Sequence, residues 1–266
     1  MLQEGLKQAL YSACKSIWFD WYVWHPICKF KEHSKWLKTA QGAFEWFTQC
    51  LLDEGIRTDI LQSRVVPKLR EAGYLNYHKL VTRLSDPENF EKELVEVLGK
   101  AGHKMKYEGA KAIVRAVGVI SKKFENNIHN IYNYALQKHR KDRYKVAEEV
   151  CLSLTRSEFY WMKEKKAGIF LRDMVGYGVW DMALQPIPPA VDTRVRRVLE
   201  RLQLVNNRNN VRECRDAILS LASELNLTPI ELDVALWTIG DEKICGEKKP
   251  KHDRCPLNLS CPSVSL

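Results

Sequence analysis

The chain has 266 residues, 45% of them hydrophobic and 10% aromatic, which is enough to bury a substantial core and excludes a disordered chain. No apolar run approaches the roughly 18 residues that cross a bilayer, and MLQEGLKQALYSACKSIWFDWYVW lacks the basic-then-apolar layout of a signal peptide. Lys and Arg outnumber Asp and Glu by 42 to 33, a formal charge of +9 that attracts polyanions, of which nucleic acid is the usual one.

In chain order, the first 24 residues hold Trp18, Phe19, Trp21, Tyr22 and Trp24. They cover more than one helix face, which suits a helix packed between two lobes and not a membrane stripe. Apolar residues then recur at three- and four-residue intervals in 43–52 (Phe44, Phe47, Leu51), in 91–98, in 110–120 and in 191–202, the period of amphipathic helices. Gly55, Pro67, Gly73, Pro87, Gly99 and Gly102 mark turns between them, and alternating strand patterns are short and rare. An all-α fold follows. The basic block Lys138, Arg140, Lys141, Arg143 and Lys145 reads as a solvated helix face. The Gly/Pro-bearing stretch GYGVWDMALQPIPPA (176–190) is the clearest break in composition, and the polar, basic last 22 residues do not read as a helix.

The segment PPAVDTRVRRVLERLQLV carries the strongest chemistry. Val191, Val195, Val198 and Leu202 mark one helix face, and Asp192 opens that helix after two prolines, as an N-cap does. A capping carboxylate is held as an anion by backbone N–H groups and the helix dipole. Such an anion also stabilises the positive charge that builds on a sugar when its base departs. Arg194, Arg196 and Arg197 follow within one turn and suit phosphate contacts.

Cysteines fall into two sets. Cys14, Cys28, Cys50, Cys151 and Cys214 are scattered in mostly apolar surroundings and read as reduced core residues. Cys245, His252, Cys255 and Cys261 lie together, with six, two and five residues between them. Clustered thiols in an intracellular chain point to metal before disulfides, and three thiolates with one imidazole suit tetrahedral zinc. A loop held without metal by Pro250, Pro256 and Pro262 is the other reading. In each case Lys248, Lys249, Lys251 and Arg254 would be placed near a phosphate backbone.

The VDTRVRRV stretch resembles the signature of the helix-hairpin-helix DNA glycosylases, the superfamily of endonuclease III and the adenine glycosylase MutY. FEWFTQCLL (44–52) resembles the first barrel helix of endonuclease III, and GHKMKYEGAKAIVRAV (102–117) resembles a further helix of that enzyme. The terminal spacing resembles the family's [4Fe–4S] loop, with His252 where the family has its second Cys. The resemblance implies a two-lobed helical protein: a barrel domain over 43–183 ending in the hairpin, and a second domain from 1–42 plus 184–266 that carries the metal loop. It implies Asp192 as the catalytic carboxylate and [4Fe–4S] as the rival of zinc.

Bifunctional family members use a lysine at the start of the second hairpin helix as a nucleophile. In FYWMKEKKAGIFLRDMVGYG (159–178) the matching position is Lys165, or Lys166 after a shift of one, and Lys163 nearby suits a phosphate contact. The family hairpin reads L-P-G-V-G-x-K, its glycines letting backbone amides approach a phosphate; Phe-Tyr-Trp-Met-Lys-Glu stands there in this chain. Gly55 stands where family members carry a wedge Gln. Trp180 and the hairpin aromatics either stack on an extruded base or pack in the core. The resemblance thus implies a monomeric, intracellular base-excision glycosylase, nucleoid-associated if prokaryotic. It would act on duplex DNA with a damaged or mismatched base, with or without lyase activity. A non-catalytic DNA-binding protein of the same fold, and a zinc-stabilised RNA-binding protein, are the alternatives.

Overall fold

The computed structural model describes residues 4–23, 30–140 and 142–265, without side-chain detail for 19–31 or beyond 263. Cys28, Lys141, Trp24 and the side chains of Phe19, Trp21 and Tyr22 lie outside what is described. Among the described residues the regular elements are helices, and no strand forms; one isolated bridge joins Cys245 and Pro250. None of these helices is long and apolar enough to cross a membrane. The chain divides into two compact units, one of residues 31–186 and one of residues 1–30 with 187–266.

In the unit of residues 31–186, the helix Ala40–Leu52 is buried on nearly every face. Thr39 caps it by accepting from the Gly42 amide at 2.9 Å, and Phe47 meets Phe159 and Phe170 edge-on at 5.5 and 5.4 Å. The cut falls earlier than residue 43 because the Phe30–Leu37 helix belongs to this unit's core: Leu37 is fully buried, and Ser34 Oγ donates to the Tyr177 carbonyl at 2.8 Å. Pro87–Lys100 starts at an Asp86 cap with Pro87 in the first turn, and packs on Lys106–Lys123. A π-helical turn, Leu61–Val65, precedes Val66–Glu71; Pro67 has no N–H to return to an α-helical acceptor, which favours the wider turn there. The hairpin is made of Arg143–Thr155, a connection over 156–163, and Glu164–Gly176.

The other unit packs Glu4–Val23, Thr193–Arg201, Val211–Glu224 and Pro229–Ile239 around Leu10, Val195, Leu199, Ile218, Leu232 and Leu236. Thr228 and Glu231 form a reciprocal capping box at the start of Pro229–Ile239. Glu231 also accepts from Lys15 Nζ at 2.9 Å, tying the first helix to the last. Gly240 sits where a Cβ would come within 3.0 Å of the Arg194 backbone, so a glycine is needed for the chain to pass this close to the Asp192 helix.

Candidate functional site

Asp192 caps the Thr193–Arg201 helix. Its Oδ1 accepts from the Arg194 and Val195 amides at 2.8 and 3.0 Å, and its Oδ2 accepts from Trp237 Nε1 at 3.0 Å. Asp192 as a residue is partly exposed. Trp237 lies on a helix whose apolar residues run all round it, and no sequence signal marks it as the partner of Asp192.

The three arginines that follow are used unequally. Arg194 places its guanidinium 4.6 Å from the centre of the Trp237 ring and 3.5 Å from Asp241, and stays partly exposed. Arg196 Nε donates to the Asp192 carbonyl at 3.3 Å and its Nη1 to the Arg208 carbonyl at 3.2 Å. Arg197 is not available to a phosphate. It is 4% exposed, and it donates to the Cys245 and Gly240 carbonyls at 2.9 and 2.5 Å while pairing with Glu242 and Glu247. Its periodic position inside a charged run hid a staple whose partners lie about 45 residues downstream.

The terminal loop does not assemble the expected metal ligands. Among the described residues no three His, Cys, Asp or Glu side chains come together in a group that could hold a metal ion. Cys245 is buried, and its sulfur accepts from Arg201 Nη1 at 3.0 Å; Arg201 also donates to the Cys245, Gly246 and Glu247 carbonyls. A guanidinium on that sulfur opposes a metal cation there. Cys255 and Cys261 pack on the same core, and burial, then the neighbouring Cys245 and Cys261, push the Cys255 thiol up. His252 is on a short 3-10 turn. The set Cys245, His252, Cys255 and Cys261, as arranged, does not fit zinc or [4Fe–4S], so no step is routed through either. Lys248, Lys249 and Lys251 are exposed on this loop.

In the other unit, Lys165 and Lys166 stand in the first turn of Glu164–Gly176, with Lys163 exposed at the cap position. Lys166 is 2% exposed. Its Nζ donates to the Leu51 carbonyl at 2.8 Å, pairs with Glu54 at 2.9 Å and lies 3.4 Å from the centre of the Trp161 ring. Burial pushes its ammonium down to about 8, against the opposing pull of Glu54. Lys165 keeps 39% of its side chain exposed and places Nζ 3.4 Å from the Asp53 carbonyl and 3.5 Å from the Asp53 carboxylate. His103 Nε2 lies 2.9 Å from the next carbonyl, that of Leu52. The C-terminus of Ala40–Leu52 thus gathers a lysine and a histidine on its last carbonyls, which complements the helix dipole.

Trp161 has φ +72, a left-handed conformation that favours glycine. The backbone therefore turns there as a glycine-bearing one would, with an indole at that position. Trp180 is a core residue: 2% exposed, it donates to His129 Nδ1 at 3.0 Å and stacks on Tyr132. In the basic block, Lys138 pairs with Glu149 and Arg143 with Asp181.

No family model matches the chain, and no curated protein matches it. Solved structures do. A trapped endonuclease III–DNA covalent intermediate, the estranged-adenine complex, matches with a TM-score of 0.55 at 17% identity, over 89% of this chain and 93% of that one. The 8-oxoguanine DNA glycosylase of Thermotoga maritima matches with a TM-score of 0.52 at 15% identity, over 90% and 98% of the two chains. The chain has the helix-hairpin-helix glycosylase fold. Glu164–Gly176 carries Lys165 and Lys166 in its first turn, and Asp192 opens Thr193–Arg201.

Proposed function

We propose that the protein is a base-excision DNA glycosylase that removes a damaged or mismatched base from double-stranded DNA, acting as a monomer inside the cell. The observation that carries this reading is the Asp192 carboxylate, fixed on three N–H donors in a residue that stays partly exposed. Chemistry on a base inside a duplex requires the nucleotide to be turned out of the stack. As the bond to the base breaks, positive charge develops on the sugar, and a preorganised anion lowers that barrier without having to reorganise.

Lyase activity is the finer part of the reading, and Lys165 suits the nucleophile better than Lys166. Lys166 spends its ammonium on Leu51, Glu54 and Trp161 beneath the surface. Lys165 is accessible, and Asp53 is beside it to take up the proton it must lose before attack. The amine then adds to the sugar carbon, the base departs, and the Schiff base that follows leads to strand cleavage. Arg194, Lys163, Lys248, Lys249 and Lys251 are the phosphate contacts in this reading, and Arg196 contributes only after giving up its carbonyl bonds.

Incubation with a panel of lesion-bearing duplexes tests it, with Asp192→Asn as the control and borohydride trapping to report a Schiff base. Base release lost in Asp192→Asn supports the glycosylase, and an adduct lost in Lys165→Ala but kept in Lys166→Met supports the lyase assignment. Trp161 in place of a hairpin glycine favours a second reading, a non-catalytic DNA-binding protein of this fold. It predicts no release from any duplex of the panel.

A further inference from the structure

The connection that lacks the family's glycines carries a cationic cluster. Lys111 Nζ lies 5.1 Å, and the Arg115 guanidinium 5.0 Å, from the centre of the Tyr160 ring. The two cations are one turn apart on the Lys106–Lys123 helix, a spacing that puts them on one face. Like charges at that spacing repel, and among the described residues neither has a carboxylate within ion-pair distance; Lys163, at the cap three positions after Tyr160, acts on Glu54 only through a longer-range charge interaction. Arg115 and Lys163 are exposed, Lys111 and Tyr160 partly so.

We propose that Lys111, Arg115 and Tyr160 form a phosphate clamp for the backbone of double-stranded DNA, assisted by Lys163. The π face of Tyr160 attracts both cations and so limits where each can point before any ligand arrives. A phosphate between them removes their repulsion, and the guanidinium offers it paired N–H donors in a fixed fork. The clamp supplies with side chains the anchoring that an indole at position 161 denies to close backbone approach. The choice of duplex DNA over another polyanion rests on the glycosylase reading above.

Binding of an undamaged DNA duplex, followed by fluorescence anisotropy across a salt series, tests the clamp without any excision step. Each phosphate contact adds about 0.9 to the slope of log K against log salt, so Lys111→Gln/Arg115→Gln is expected to lower its magnitude by about 1.8. The ratio of wild-type to variant affinity then narrows about tenfold between roughly 50 and 200 mM salt. Tyr160→Leu, which keeps both charges, is expected to weaken binding several-fold with nearly the same slope. Circular dichroism verifies that these surface variants stay folded. A double-variant slope within about 0.5 of wild type overturns the clamp. So does single-stranded RNA of the same length bound as tightly and with the same slope. A reduced slope in a protein that releases no base would leave the clamp standing and sink the glycosylase reading; excision with an unchanged slope would do the reverse.

Discussion

Trp237 donates its indole N–H to Asp192 Oδ2 at 3.0 Å, on the side of the carboxylate opposite the helix amides. The anion is thereby positioned by two elements of one unit, and its charge and its capping role become separable by substitution.

Asn caps helices about as well as Asp but turns an NH2 donor toward the Trp237 N–H, so Asp192→Asn is expected to cost about 1 to 3 kcal/mol of stability while losing the anion. Base release should fall at least about 100-fold, the scale for removing one preorganised electrostatic group. Trp237→Phe keeps the charge and removes one donor; about 1.5 kcal/mol of stability and a smaller part of the rate should go. Single-turnover excision and urea denaturation on the two variants check this. Release by Asp192→Asn at the wild-type rate would remove the carboxylate from the chemistry.

Lys166 gives the protein an alkaline signature. Burial holds its folded-state value near 8, below the ordinary 10.5. Between those values the unfolded chain binds more protons, so stability rises as pH climbs from about 8 to 10.5, with a ceiling on the order of 3 kcal/mol. Below pH 8 the cost of burying the charge is present in full. Lys166→Met should flatten that rise in denaturant midpoints measured from pH 7 to 11. A variant profile as steep as the wild type would assign the rise to another group.

Arg197 and Arg201 hold the terminal loop by its carbonyls. Arg197→Met strands buried acceptors at Cys245 and Gly240 and is expected to cost about 3 to 5 kcal/mol. The salt slope of DNA binding should not move. Because Arg201 occupies the Cys245 sulfur, exhaustive chelation is expected to leave the thermal unfolding midpoint where it was. A midpoint lowered by chelator, together with zinc or iron in elemental analysis, would show that a metal holds the loop.

Three histidines of the 31–186 unit resist protonation. Burial lowers His33, His103 and His129 below their usual value of 6.5. The unfolded chain then takes up protons first as pH falls through 6.5, and stability declines from there. His103→Asn should make the acid limb shallower, as read from urea midpoints between pH 7 and 5. An unchanged limb would place the loss on carboxylates instead.

Helical periodicity and the proline-preceded Asp192 were legible because both are local: a spacing of apolar residues, and a cap at the start of one helix. What sits across from a side chain was not. Lys165 and Lys166 are neighbours in sequence but point about 100° apart around the helix, which leaves one accessible and sinks the other beneath Trp161. Arg194 and Arg197 belong to one basic run, yet only a loop some 45 residues later decides that Arg197 is spent internally. The spacing of Cys245, His252, Cys255 and Cys261 matched a ligand set; the three thiols lie near one another, but Arg201 holds the Cys245 sulfur and no group of described side chains that could hold a metal ion forms. Phe-Tyr-Trp-Met-Lys-Glu stands where the resemblance expects hairpin glycines, and the backbone turns left-handed at Trp161 regardless.

The Lys15–Glu231 tie joins the two ends of the chain across an entire intervening unit. During synthesis the Glu4–Val23 helix emerges long before the Pro229–Ile239 helix on which it packs. Residues 31–186, being contiguous, have all their partners by the time residue 186 leaves the ribosome. The nascent Glu4–Val23 helix must wait with its apolar face uncovered until residue 239 has followed, so the unit that carries Asp192 completes its core after the unit of residues 31–186.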